Sequence, residues 1–510
     1  MRRSAPVVGV ALAAIVALAG CSAEPAAPTV EIDPDARISV ASLAAVTKWD
    51  PGLNVGGPEP AFLRMVYDTL VGLDPDNRPI PSLATEWTTD DGGVTYTFTL
   101  RDDVTFTDGT EFDADVAVEV LEHYRTVEAG TLKGILSNID TVEAEDDTTL
   151  VITQKTPDVT LPVLLTDRPG MMISPASFAA GPVEKPVGTG PFVWVDEVQT
   201  VSLTLDRNDD YWNPDAVKVA GVDVQVMEDP VARFNAIRSG SIDATLIGAD
   251  QIEEARNLPG LGLYEIKGRA ARLITINPDL EPALGDPDVR LALNMAIDRE
   301  GIAQGVLFGS GEPGDQLRPV GFPGYSEGVE PIPYDPEGAR DLLEKAGYGD
   351  GLSMVFVTQP RYQKEAEAIQ ANWAEIGVDI EVQVLPGSGA GVAMWYDKTA
   401  AIGLANFDGR QDIGIALRAL FLPNQVNNPG NVVDDEVTRL ITESSAETDE
   451  DARQALFKQI AQKLNEAPLG VWPVVWGYEA VVYTDRVVGF QPYQSGFPVL
   501  TGVGIAAAAE

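Results

Sequence analysis

One cysteine, Cys21, and one histidine, His123, serve all 510 residues. A chain with a single thiol builds no internal disulfide, so its fold has to rest on buried apolar surface. Cys/His zinc sites and Cys–His nucleophilic pairs are excluded with the disulfides, and a Ser-His-Asp triad would have to use His123. The apolar surface is available, because hydrophobic residues make up 45% and charged residues 22%, a globular balance. At this length the chain outgrows one compact core and has material for two or three lobes. Charge narrows the function further. Asp+Glu number 78 against 35 Lys+Arg, a formal net charge of -43. Such a chain is repelled by phosphate backbones and anionic headgroups, which argues against nucleic-acid and polybasic membrane-surface roles.

The N-terminus reads as an export segment. Met1-Arg2-Arg3 precedes an apolar run from Val7 to Gly20, followed by Cys21. A basic start with about 14 apolar residues fits a signal peptide and falls short of the roughly 20 residues of a spanning helix. Leu18-Ala19-Gly20-Cys21 resembles the lipobox of bacterial lipoproteins, in which the cysteine is acylated and becomes the mature N-terminus. A plain secretory signal with an incidental cysteine is the alternative. Ser22 to Asp35, rich in Ala, Pro and acid, suits a flexible tether. The expectation is a signal peptide over 1–20 and a tether over 21–36. A lipidated Cys21 would then hold the protein on the outer face of the cell membrane.

Downstream, two periodicities alternate. Residues 38–43, 94–100, 104–107, 149–153, 201–205, 222–226 and 378–384 carry the pattern of strands. Phe62, Met65, Val66 and Leu70 form a helical stripe over 60–71. Asp113 stands where it caps a helix with Val116, Val120 and Tyr124 on its apolar face, and His123 reads as an ordinary surface residue of that helix. Asp286-Pro287 and Asp335-Pro336 open two more helices, the second closed by Gly347. Gln363 to Ile376 continues as helix. Six prolines between 157 and 186 mark a loop-rich stretch. Gly188-Thr189-Gly190 runs into Pro191 and a strand pattern rather than a helix N-terminus, so it is not a phosphate loop. Asp74-Pro75-Asp76-Asn77 lacks the glycine and final glutamate of a calcium loop and reads as a turn. Mixed strands and helices without an internal repeat predict an α/β or α+β chain of at least two lobes.

Several landmarks together resemble the family 5 extracellular solute-binding proteins, the peptide/nickel cluster of ABC importers. Leu83-Ala84 through Trp87 is similar to the family's "LA-x-x-W". Tyr96 through Leu100-Arg101, Val104, Phe106, Asp108-Gly109 and Ala114-Asp115-Val116 follow its "tytF-x-LR-x-x-V-x-F-x-DG…A-x-DV" signature. Gly188 to Phe192 stands for "GTGPF", Arg207-Asn208 with Tyr211-Trp212 for "RN-x-x-YW", and Gly240 with Ile242-Asp243-Ala244 for "G-x-iDa". Val289-Arg290 through Ala296-Ile297-Asp298-Arg299 and Tyr334-Asp335-Pro336 through Ala346-Gly347-Tyr348 complete the series in the family's order. These are mostly strand, turn and cap residues, so they speak for the fold before the ligand.

The resemblance implies an α/β, two-lobed periplasmic-binding-protein-like fold with an extra inserted domain, making three domains with a cleft between lobes. The implied division is a discontinuous first domain over 37–49, 184–268 and 479–505, an insert over 50–183, and a second lobe over 269–478. It implies a monomeric receptor, not an enzyme, without a cofactor. Such a receptor closes on a small solute, here expected to be a short peptide, and docks on an ABC transporter permease. An opine, an oligosaccharide or a metal chelate is the alternative solute, bare nickel being ill served by a chain so poor in soft and imidazole ligands. The rival from another class is an extracellular hydrolase using paired carboxylates, although no G-x-S-x-G or HExxH motif is present.

Peptide binders of this family pair the peptide ammonium with an aspartate in a segment resembling "W-x-x-D-x-x-DP", before a helix ending in "LF". The similar stretch here runs from Asn406 through Asp408, Arg410 and Asp412 to Leu420-Phe421. Counting back from Phe421 puts Asp412 at the second aspartate, with Asp408 one residue from the first. Ile413 replaces the proline, no tryptophan precedes Asp408 at the usual place, and Arg410 sits between the acids. That version resembles members with a "GR-x-D" segment, whose ligands are more varied. The resemblance makes Asp408 or Asp412 the ammonium partner and Arg410 either a carboxylate grip or an internal counter-ion. Trp395, Tyr396 and Trp476 are candidate stacking surfaces, with core packing as the plainer alternative.

Overall fold

The computed structural model describes residues 30–54, 60–75, 77–89, 92–128, 130–179, 181–386, 389–408, 412–490 and 500–507. The expected signal peptide, Cys21, most of the tether and Arg410 lie outside the described residues.

Eleven strands form one mixed sheet. At its middle two long antiparallel strands, Leu261–Ile276 and Val471–Thr484, run side by side. Val471–Thr484 is apolar on both faces along most of its length, as a strand covered on two sides must be. The ladder between the two strands lapses from Ile266 to Ala270, and it slips again where Pro473, with no N–H to offer, opposes Leu273. The first lapse divides the sheet. On one side the order continues through Ala244–Ile247, Arg37–Ser42, Gly221–Val226, Ser202–Arg207 and Phe192–Val198. On the other it continues through Ile402–Asp408, Leu352–Thr358 and Val378–Val384, with Gly311–Pro313 pairing beside Gly477.

A separate four-stranded antiparallel sheet, Ala84–Thr89, Thr95–Leu100, Thr149–Gln154 and Ile139–Asp146, carries the helix Ala114–Thr126. Asp113 caps that helix through the N–H of Val116. One core, including Leu63, Phe98, Tyr124, Phe192 and Val222, joins this small sheet to the first half of the large one. Two further cores cover the faces of the second half. Ile274, Leu293, Phe356, Trp373 and Trp472 fill one, and Leu273, Leu417, Phe421, Leu440 and Trp476 fill the other. The capping acids read from sequence do their work here too, because Asp286 accepts from Asp288 N and Asp335 from Gly338 N.

Three local expectations need correction. The stripe over 60–71 is helical only as Pro60–Val66, after which the chain bends to bring Thr69 onto Met171. Residues 104–107 make a single bridge, Thr105 to Glu111, and no strand. His123 is not on the surface. Its side chain is 15% exposed, stacks on Phe178 at 4.1 Å, and its Nε2 lies 2.8 Å from Asp50 Oδ2. Both partners are too far away in sequence for a helix-stripe reading to have found them.

The glycines of Gly188-Thr189-Gly190 serve packing. A Cβ on Gly188 would lie 2.1 Å from Val66 O, and one on Gly190 2.5 Å from Val66 C, so this strand entry fits only glycine against the helix end. The same approach places Asp68 beside three donors: Tyr211 Oη at 2.9 Å, Trp212 Nε1 at 2.8 Å and Thr189 Oγ1 at 3.2 Å. Burial pushes the Asp68 carboxyl up to about 6, against the lowering pull of these donors and Arg101. Because the folded value lies above the unfolded one, the native state holds the extra proton, and stability falls as pH rises from about 4 to 6. We expect an Asp68 carboxyl ¹³C titration midpoint near 6. This group should lower the unfolding free energy by roughly 2–3 kcal/mol between pH 4 and 7. A midpoint below 4 would contradict the burial argument.

Candidate functional site

Sheet direction locates the crevice. In the first half, Arg37–Ser42 runs parallel to Ala244–Ile247 and to Gly221–Val226. Ala244–Ile247 is antiparallel to Val471–Thr484, with Ile247 opposite Ala480, beside the lapse in the ladder. The carboxyl ends of these strands, Ser42, Val226 and Ile247, therefore lie toward that lapse. In the second half, Ile402–Asp408 is parallel to Leu352–Thr358, which is parallel to Val378–Val384, so Asp408, Thr358 and Val384 are also carboxyl ends. Asp408 pairs with Ala270, the first residue beyond the lapse. Both halves thus turn the carboxyl ends of their parallel strands toward one seam. In open α/β sheets that is where side chains and backbone amides are left over for a ligand.

The seam is crossed by few residues. Lys267 sits over the Tyr478 ring, 5.3 Å from its centroid. Glu312, opposite Trp476, is pushed up by burial despite the pull of Lys267, and Asp315 is pushed up by burial despite Arg299. On the second-lobe side, Arg272 lies over the Tyr362 ring at 4.6 Å and 3.8 Å from the Glu365 carboxylate.

The two aspartates read from sequence flank residues 409–411, but they stand in different settings. Asp408 closes a strand at the seam. Asp412 caps the helix Ile413–Phe421 through Gly414 N at 2.7 Å. It also receives both arms of Arg453, Nη1 at 2.6 Å and Nη2 at 2.8 Å. Burial would raise Asp412, but the Arg453 hydrogen bonds and charge, the Gly414 N–H and the charge of Arg318 outweigh it and hold the carboxyl below its ordinary range. Arg318 is itself fully buried and pushed down to about 10 by that burial. Asp412 is thus already compensated by two guanidinium groups, whereas an ammonium partner has to offer an uncommitted carboxylate.

Of the aromatic candidates, Trp476 stands beside the lapse, opposite Glu312, but with its side chain in a core, and Trp395 packs farther along the strand. Trp395 donates from Nε1 to Thr275 Oγ1 at 3.3 Å, and Thr275 is five residues along the strand from Ala270, about 17 Å at strand rise. Tyr396, 63% exposed, follows Trp395 in the same helical turn. Trp476 is 1% exposed inside a core, and its indole donates to Gln316 O at 3.3 Å. A cavity of about 40 Å³ opens beside that core between Leu317, Ile413, Phe421 and Phe457, room for little more than water. Among the described residues, no group of three or more His, Cys, Asp or Glu is placed to hold a metal ion.

Sequence reasoning missed Arg453 and Arg418, the cations that organise the helix after Asp412. Each lies on a helix of the second lobe, and each meets its carboxylate across at least forty residues of sequence.

Comparison with known proteins agrees with this architecture. The profile of the bacterial extracellular solute-binding proteins, family 5 Middle, matches residues 78–415. Heme-binding protein A of Haemophilus influenzae is 29% identical, the match covering 87% of this chain and 88% of that protein. The nickel-binding periplasmic protein of Escherichia coli is 28% identical over 85% of this chain and 86% of its own length. In three dimensions the chain is similar to the ABC transporter-associated periplasmic binding protein DppA of Helicobacter pylori, solved with the peptide STSA. The TM-score is 0.85 at 23% identity, covering 93% of this chain and 99% of that one. These relatives are solute-binding receptors rather than enzymes, and the fold is the periplasmic-binding-protein type. The chain belongs to the family 5 bacterial extracellular solute-binding proteins.

Proposed function

We propose that this protein is a lipid-anchored receptor that captures a short peptide in the seam between its lobes and delivers it, as a monomer, to an ABC permease. The observation that carries this reading is the convergence of carboxyl strand ends on a seam crossed by two strands, with Asp408 ending the innermost strand of the second lobe. The division proposed with it is a first domain over 37–49, 184–268 and 479–505, an insert over 50–183 and a second lobe over 269–478. The hinge then falls at 267–269 and Tyr478, where the ladder between the two long strands lapses.

In this reading Asp408 takes the peptide ammonium and Arg410 the carboxylate. Asp412, already held by Arg453, caps the helix Ile413–Phe421. A charge-assisted bond to the ammonium contributes about 1.5–3 kcal/mol, and lobe closure strengthens it by excluding water. A nickel or haem solute, as in the named relatives, would have to arrive as a chelate. The one histidine is occupied by Asp50 and Phe178 in the inserted part of the chain.

Two measurements test the reading. In a thermal-shift screen against di- to pentapeptides, opines, oligosaccharides, nickel chelates and haemin, a peptide pool should raise Tm. A solute at about 100 times its Kd stabilises by about 2.7 kcal/mol, and Asp408→Ala should abolish the shift. A shift with acidic chelates or sugars and none with peptides would overturn the peptide assignment and move the test to Arg410. The anchor rests on Cys21: Cys21→Ser should move the exported protein from the membrane fraction to the soluble one, and retention in the membrane would contradict lipidation there.

A further inference from the structure

The helix Ile413–Phe421 starts at the segment proposed to hold the solute and reaches across to the other lobe. Arg418 on this helix donates from Nη1 to Asp158 Oδ1 at 3.1 Å and from Nη2 to Thr160 Oγ1 at 2.8 Å. Its Nη2 also lies 2.9 Å from Asp158 Oδ2. Beside it, the N–H of Val159 donates to Ser445 O at 2.8 Å. Residues 158–160 follow the strand Thr149–Gln154 of the small sheet, so every one of these bonds joins the insert to the second lobe, at 258 to 286 residues' separation.

Both sides are built before they meet. In the insert, Asp158 Oδ1 accepts from Thr160 N at 2.9 Å and Thr160 Oγ1 at 2.7 Å. Gln154 Nε2 ties Gly93 O to Asp158 O at 2.6 and 2.8 Å. Gly93, with φ at +89°, brings its backbone so near that a Cβ would lie 2.9 Å from Asp158 C. On the second lobe, Arg418 is aimed by a further bond to Ser445 Oγ at 3.0 Å, and that hydroxyl donates to Ile441 O. Arg453, which clasps Asp412, donates from Nε to Ser444 O at 2.9 Å. Asp412, the helix and the 444–445 corner therefore move as one body.

We propose that Arg418, with Asp158, Thr160 and the Val159–Ser445 bond, forms a latch that fastens the second lobe to the insert, coupling Asp412 to that contact through a single helix. A carboxylate 9% exposed and a guanidinium 23% exposed, joined bidentately, need each other. When opening parts them, both must rehydrate, so the pair slows opening more than it speeds encounter. This inference rests on the receptor reading only for what closure accomplishes.

Hydrogen–deuterium exchange on the whole, solute-free protein tests it, and because no solute is present its failure is separate from any failure of the peptide assignment. Arg418→Met should speed exchange in the peptide spanning 155–161 by about tenfold, while strands 95–100 and 352–358 keep wild-type rates. Asp158→Asn, which retains the oxygen that accepts from Thr160 N, should do the same from the other side and leave helix 413–421 protected. Should Arg418→Met loosen its own helix, Asp158→Asn alone decides. Unchanged exchange at 155–161 in Asp158→Asn overturns the latch.

Discussion

The pairing of two strands holds the two halves of the large sheet together and, in the proposed reading, lets them bend. Leu261–Ile276 and Val471–Thr484 lie in both halves of the large sheet, and they stop exchanging hydrogen bonds for only a few residues in the middle. Backbone without a ladder partner is where a sheet flexes at least cost, because side-chain packing and main-chain bonds on either side survive the motion. The proposed site is arranged about that lapse. Strand ends converge on it, Asp408 ends its strand beside it, and Lys267 over Tyr478 bridges it.

Cations decide the local geometry of a chain whose charge is overwhelmingly negative. Arg290 donates to the carbonyls of Pro468, Leu284 and Gly285, and Arg299 to those of Gly314, Asn294 and Pro473. Burial pulls both guanidinium groups below their ordinary range, Arg299 to about 10. Each is paid for by the loop ends it ties, since unpaired buried carbonyls cost more than the bond returns. Arg453 and Arg418 do the same work for carboxylates, one within the second lobe and one across to the insert.

Much of the architecture was legible in the chain. Period-2 runs such as 94–100 and 378–384 became strands within a residue, and the capping acids Asp113, Asp286 and Asp335 start the helices they announce. The order of the family motifs carried the fold, and the structure gives those motifs structural jobs: Arg290 and Arg299 tie loops, while Tyr211 and Trp212 hold Asp68. The site was less legible, because its partners are non-local. Nothing near Asp412 in sequence announces Arg453, and nothing near Asp158 announces Arg418. Tryptophan spacing does not distinguish a cleft wall from a core, and Trp476 is packed in one with its indole N–H satisfied. Where the strand ends converge depends on sheet direction, which hydrophobic period alone does not supply.

The most direct measurement of the account is a crystal structure with whichever solute the screen selects. Solute density is expected in the seam bounded by Ser42, Ile247 and Asp408, beside the crossing strands, with the lobes closed on it. Density instead in the apolar cavity beside Phe421 and Phe457, or on the face carrying Trp395 and Tyr396, would contradict it.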